Sequence, residues 1–125
     1  MKLTKNFSKS EFDCNDGSTM PEHVLYRIQK VAIQLQVLRQ YLETSIKINS
    51  GYRSPEHNFK VGGVKNSQHV LGNAADITTE RYTPKQIYDS IEYLINEGLM
   101  LQGGLGLYKN FVHYDIGFNG KKRRW

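Results

Sequence analysis

Cysteine is almost absent from this chain of 125 residues, with Cys14 standing alone. No intramolecular disulfide is possible, and a zinc site built from cysteines, as in ribbons and fingers, is excluded. Any metal is therefore expected on histidines and carboxylates. Long apolar runs are missing too. No window approaches the roughly 20 apolar residues that span a bilayer. No apolar run of about 7–15 residues follows the basic, polar opening Met1-Lys2-Leu3-Thr4-Lys5-Asn6, so no signal peptide is read there. The expectation is a chain made in the cytoplasm, without a membrane partner, that reaches any extracellular target by another route. Internal repeats and low-complexity segments are also lacking.

What is present describes an ordinary globular protein: 38% hydrophobic and 23% charged residues. The length suits a single domain, residues 1–125, able to bury a core without staples. Acidic residues are outnumbered by basic ones, giving a formal charge of +5. Much of the excess sits in Lys121-Lys122-Arg123-Arg124, read as part of a solvated basic tail over 119–125. A basic surface is attracted to nucleic acids and equally to anionic cell-wall polymers. Without aromatic interleaving or a nucleic-acid motif, a nucleic-acid partner is not expected.

Ser8-Lys9-Ser10-Glu11 has the spacing of a capping box and predicts a short helix. Pro21 predicts the N1 position of a long helix reaching about Glu43, with Val24, Leu25, Ile28, Val31, Ala32, Leu35 and Leu38 on its apolar face. Ile46 to Ser50 alternates as a half-buried strand does. Gly51 to Ser67 reads as loop, with a helical turn after Pro55. Ala74 to Thr78 predicts a strand. Thr83-Pro84 predicts a second main helix, with Ile87, Ile91, Leu94 and Ile95 buried and Gly98 ending it. Gly104 to Tyr108 and Phe111 to Ile116 predict two strands joined through Lys109-Asn110. The class is α+β: a small antiparallel sheet packed against two main helices.

Polar and ionisable residues embedded in apolar, glycine-punctuated segments mark three stretches. They are Ser50-Gly51-Tyr52-Arg53-Ser54-Pro55-Glu56-His57-Asn58, Ser67-Gln68-His69-Val70-Leu71-Gly72-Asn73-Ala74-Ala75-Asp76-Ile77, and Gly103 through Asp115. A hydrolytic zinc centre uses three protein ligands at about 2.0–2.2 Å and keeps a position open. His69, Asp76 and His113 are a suitable set, two neutral nitrogens and one anion. His69 would leave a loop and Asp76 enter the next strand. His113 would share a strand face with Phe111 and Asp115. Each also has an ordinary structural use, and spacing alone does not force the three to converge.

Ser-Gly-Tyr-Arg-Ser-Pro-Glu-His-Asn, then Ser-Gln-His with Gly-Asn-Ala-Ala-Asp-Ile, then Phe-Val-His-Tyr-Asp closely resembles the zinc D-alanyl-D-alanine carboxypeptidase family. That family includes murein endopeptidases and phage endolysins and shares its fold with the hedgehog signalling domain. The resemblance runs roughly from Phe7 to the tail. It implies one Zn2+ held by His69, Asp76 and His113, in the sheet. It implies that Arg53 binds a substrate carboxylate or polarises its carbonyl, which a guanidinium fork suits. It further implies substrate-binding roles for Asn58 and Ser67. Many relatives carry a Glu three residues before the last ligand or a His two before it. Here those positions are Asn110 and Phe111, which accept no proton.

Asp115 is the nearest carboxylate, and it either activates water or holds a ligand histidine; His57 is a remoter candidate. The implied activity is hydrolysis of peptide bonds in peptidoglycan stem peptides by a monomer, in a phage lysis or other wall-directed setting. Such hydrolysis needs no covalent enzyme intermediate, so Cys14 has no catalytic part. The alternative is a binding module that keeps fold and metal but not turnover.

Overall fold

In a computed structural model describing residues 1–125, the chain forms a five-stranded sheet with helices packed on it. The capping-box segment makes a short 3-10 turn, Lys9–Phe12, where the Glu11 carboxylate accepts the Ser8 N–H at 2.7 Å. Helix α1 spans Glu22–Leu42. Val24, Ile28, Val31, Ala32, Leu35 and Leu38 are all buried on one face, each large one stabilising the fold by roughly 1.5–3 kcal/mol. Pro21 lies one residue outside the expected N1 position, as the N-cap. Its extended ψ of 151° points its carbonyl to accept from Val24 and Leu25.

Strand β1, Lys47–Ser50, leads to two short helices, α2 (Pro55–Lys60) and α3 (Gln68–Leu71). Gly72 ends α3 with φ +80°, pressed against Val24 where a Cβ would sit 2.6 Å from Cγ1. Strand β2 is Ala74–Thr78. Helix α4, Pro84–Asn96, has the reciprocal Thr83–Gln86 cap that its sequence requires, and buries Ile87, Ile91, Leu94 and Ile95. Strands β3 (Gly104–Leu107) and β4 (Val112–Asp115) follow. The sheet order is β1-β2-β4-β3, antiparallel throughout, with a fifth strand beyond β3.

Register divides the sheet by period two. Ala75 faces Tyr114 and Ile77 faces Val112; these four join Leu105 in the helix-packed core. The other face pairs Asp76 with His113 and Ala74 with Asp115 across β2 and β4. On β3 the same face carries Gly104 opposite Asp115 and Gly106 opposite His113. Neither position has room for a side chain: a Cβ on Gly104 would lie 2.3 Å from Asp115 Oδ2, and one on Gly106 2.5 Å from the Trp125 indole.

The end of the tail departs from the expectation of solvated chain, while residues 119–122 are exposed. Arg123–Arg124 form β5, parallel to β3, with Gly104 beside Arg123 and Leu105 beside Arg124. Arg124 makes a two-pronged ion pair with Glu92 of α4, at 2.9 and 2.8 Å. Arg123 pairs with the fully buried Asp115. Counting charges could not reveal these partners: Glu92 lies 32 residues from Arg124, and Asp115, eight from Arg123, is met only because the chain turns back after β4. Trp125, the only tryptophan, donates its indole N–H to Tyr108 at 2.7 Å and lies over Gly106. Gly106→Ala should displace it. The expected readout is increased acrylamide quenching of the single tryptophan with an unchanged far-ultraviolet spectrum; unchanged quenching would place the indole elsewhere.

Candidate metal centre

Helix α3 presents His69 inward because Ser67 caps it, accepting the His69 N–H at 3.1 Å. The His69 Nδ1 lies 2.7 Å from the Gly51 carbonyl. A carbonyl only accepts, so Nδ1 carries the proton and Nε2 keeps its lone pair. That lone pair faces Asp76 Oδ1 at 3.2 Å. On β4, His113 Nε2 lies 2.7 Å from Asp115 Oδ2, which makes Nε2 the donor and leaves the lone pair on Nδ1. Nδ1 in turn faces the same Asp76 Oδ1, at 3.0 Å.

Three acceptor atoms thus converge with no hydrogen to share among neutral histidines. Ligand atoms of His69, Asp76 and His113 all lie within 4.8 Å of one another, and all three residues are buried. Only a cation or an extra proton relieves that arrangement. Two imidazole nitrogens and one carboxylate oxygen suit zinc in particular. The opposite nitrogen of each histidine is fixed by a protein acceptor, as metal-ligating imidazoles require.

Without a metal, protons take that place. Burial disfavours charge on His113, but hydrogen bonds to Asp115 and Asp76 outweigh it and raise its pKa above 6.5. Burial also opposes ionisation of Asp76, and the two imidazoles outweigh it, holding the carboxyl well below its ordinary range. Asp115 is lowered likewise: burial is overcome by His113, then by Arg123 and the Gly104 amide. Both Asp115 oxygens are committed, Oδ2 to His113 and Oδ1 to Arg123 and the Gly104 N–H.

Arg53 approaches from the loop before α2. Its Nη2 lies 3.4 Å from Asp76 Oδ2, Nη1 donates to Asn58 Oδ1 at 3.3 Å, and Nε donates to Ser50 at 3.3 Å. The fork is therefore held at three points. Asn58 sits behind it, buried, with its amide donating to the Val64 carbonyl at 2.8 Å. It braces Arg53 and does not line the cavity. A cleft of about 440 Å³ opens over the cluster, with Arg53 and Ser67 on one wall and Tyr108, Phe111 and Trp125 on the other. Tyr108 and Phe111 stack at 4.5 Å, and Trp125 lies 5.1 Å from the His113 ring. His57 is outside this cleft.

The sequence reading missed Arg123 and Trp125. A lone tryptophan closing a basic run was the available signal, since a solvated tail has no use for an indole.

The pKa shifts set a stability profile for the metal-free protein. The lowered carboxyls contribute fully above their ordinary value of 3.8 and lose that contribution as pH falls through their folded values. Raised His113 contributes fully below 6.5 and loses its part as pH rises through its folded value. Urea midpoints in chelator should therefore show this cluster's contribution complete between pH 3.8 and 6.5. His113→Gln should flatten the alkaline decline.

No curated protein matches the chain. A family model described as Peptidase M15 matches residues 3–115, spanning every element except the last strand. That family is one of zinc-dependent metallopeptidases, and the donor set of His69, Asp76 and His113 suits such a metal. The chain belongs to the peptidase M15 family, the zinc D-alanyl-D-alanine carboxypeptidases.

Proposed function

We propose that this protein hydrolyses peptide bonds of bacterial peptidoglycan stem peptides, using one zinc ion held by His69 Nε2, Asp76 and His113 Nδ1. The observation that carries the reading is the convergence of two oriented lone pairs on Asp76 Oδ1 beneath an open cleft. A zinc ion bound there supplies Lewis acidity, polarising a carbonyl and acidifying water.

The chain's own residues provide the rest. Arg53, braced by Ser50 and Asn58, presents a pre-oriented guanidinium at the cleft wall, suited to a carboxylate or a developing oxyanion. Ser67 holds His69 by capping α3 and lines the cleft beside it. Asp115 serves as a positioning residue: it fixes the His113 tautomer through Nε2, and Arg123 fixes Asp115 in turn. Tyr108, Phe111 and Trp125 give the leaving side an apolar wall. A stem peptide whose terminal carboxylate meets Arg53 makes the enzyme a carboxypeptidase; an internal carbonyl there makes it an endopeptidase. The protein acts as a monomer on the wall, and its positive charge favours that anionic polymer.

One observation favours a second reading, a zinc-bearing wall-binding module without turnover. The only carboxylates and imidazoles lining the cleft are the three proposed ligands and Asp115, whose oxygens are both engaged.

Purified protein should contain about one zinc in this centre and release soluble peptides from purified peptidoglycan. Chelation and His113→Ala should each abolish release, and fragment masses will name the bond. Zinc with wall binding but no release supports the second reading; a folded protein whose His113→Ala variant loses no zinc refutes the ligand set. Asp115→Asn should weaken zinc affinity about 10–100-fold in chelator competition. Arg53→Lys should retain zinc yet lower kcat/KM by roughly 10²-fold, since a point charge replaces the fork.

A further inference from the structure

A second group of metal-ligating side chains lies on the other side of the Arg53 loop, where the segment after the 3-10 turn runs beside the start of α2. The Tyr52 N–H donates to the Phe12 carbonyl at 2.8 Å, and the Ser54 N–H points at Cys14 Sγ, 3.3 Å away. Ser54 Oγ caps α2 by accepting the His57 N–H at 3.1 Å and itself donates to Asp16 Oδ2 at 3.1 Å. Thiol, carboxylate and imidazole atoms of Cys14, Asp16 and His57 all lie within 4.8 Å of one another.

We propose that Cys14, Asp16 and His57 form a second, independent site for a borderline-soft divalent cation such as zinc, with solvent completing the coordination. The donor types decide the metal class: a thiolate with an imidazole disfavours calcium and magnesium and suits zinc or cobalt. Tetrahedral zinc holds its donors roughly 3.5 Å apart, so donors no more than 4.8 Å apart need only a small contraction to reach that geometry. The mobility for that is correctly distributed. Cys14 is a buried anchor, whereas Asp16 is exposed and His57 half-exposed, so both can shift toward the ion, Asp16 by exchanging its hydrogen bonds from Ser54 and Ser18.

Charge points the same way. The Asp16 carboxylate accepts hydrogen bonds from the Ser54 hydroxyl and the Ser18 N–H. No lysine, arginine or histidine forms a salt bridge with that carboxylate. The cluster is thus an anion with no protein counterion, and binding releases the thiol proton to solvent. Such a site would depart from the expectation that any metal sits on histidines and carboxylates alone. A single cysteine excludes a cysteine-rich site and still leaves room for a mixed one. A metal here would tie the turn over 14–17, closed by the Gly17 N–H on the Cys14 carbonyl, to the first turn of α2, and so to the segment that carries Arg53 and Asn58.

The chain's single cysteine makes the test specific. Metal-stripped full-length protein titrated with cobalt chloride should develop the near-ultraviolet thiolate-to-cobalt charge-transfer band, which the His69, Asp76 and His113 centre cannot produce. The band should persist in His113→Ala and vanish in Cys14→Ser. His57→Asn, altered at a half-exposed position that leaves the fold alone, should lose it or need at least about tenfold more cobalt to reach it. Zinc content should fall from about two to about one per chain in Cys14→Ser. A band in wild type with only about one zinc would retain this site and remove the cavity metal instead. Cobalt binding without the band, or zinc content equal in wild type and Cys14→Ser, overturns the proposal.

Discussion

Asp76 Oδ1 is the point on which the site is built. Two imidazoles aim lone pairs at it, and neither can rotate away, because Gly51 and Asp115 hold the opposite nitrogens. Such an arrangement is costly for a protein that never binds a cation, since buried acceptors facing one another repel. Its persistence depends on the β2–β4 register, which sets Asp76 directly opposite His113. A slip of β2 by one residue would send Asp76 into the apolar core and bring Ile77 or Ala75 to the cleft beside His113.

Around that point the structure is layered outward by single-purpose supports. Asp115 orients His113, Arg123 and the Gly104 amide hold Asp115, and the parallel pairing of β5 with β3 holds Arg123. Arg124 anchors the same strand to α4 through Glu92. The glycines on β3 are the counterpart of this arrangement, since side chains there would expel Asp115 and Trp125. The end of the tail is thus part of the site's wall, and Arg123 and Arg124 are counterions to Asp115 and Glu92.

The loop from Gly51 to Asn58 joins the two candidate metal sites. Its first half supplies the Gly51 carbonyl to His69 and the Arg53 fork to the cleft. Its second half begins α2 over Cys14 and Asp16. Ser54 and Asn58, both buried and hydrogen-bonded, tie the two halves to their surroundings. A short segment with few apolar residues gains its rigidity from polar ties, which is why hydrophobic pattern shows no more there than a loop with a helical turn after Pro55.

Local sequence chemistry was enough for the helices and central strands. The three- and four-residue spacing of α1, the Thr83-Pro84 start of α4 and the alternation around Asp76 and His113 are effects of neighbours along the chain, so they are legible there. The identity of His69, Asp76 and His113 as a set was legible through motif resemblance, and their convergence was not, because it arises from strand register. Asp115 beside His113 follows from period two along β4 and was legible too. The capture of Asp115 by Arg123, the bracing of Arg53 by Asn58, the pairing of the tail and the meeting of Cys14 with His57 depend instead on how loops and strands come together. Such contacts are fixed by packing and by which buried charge finds which partner, and no local periodicity encodes them.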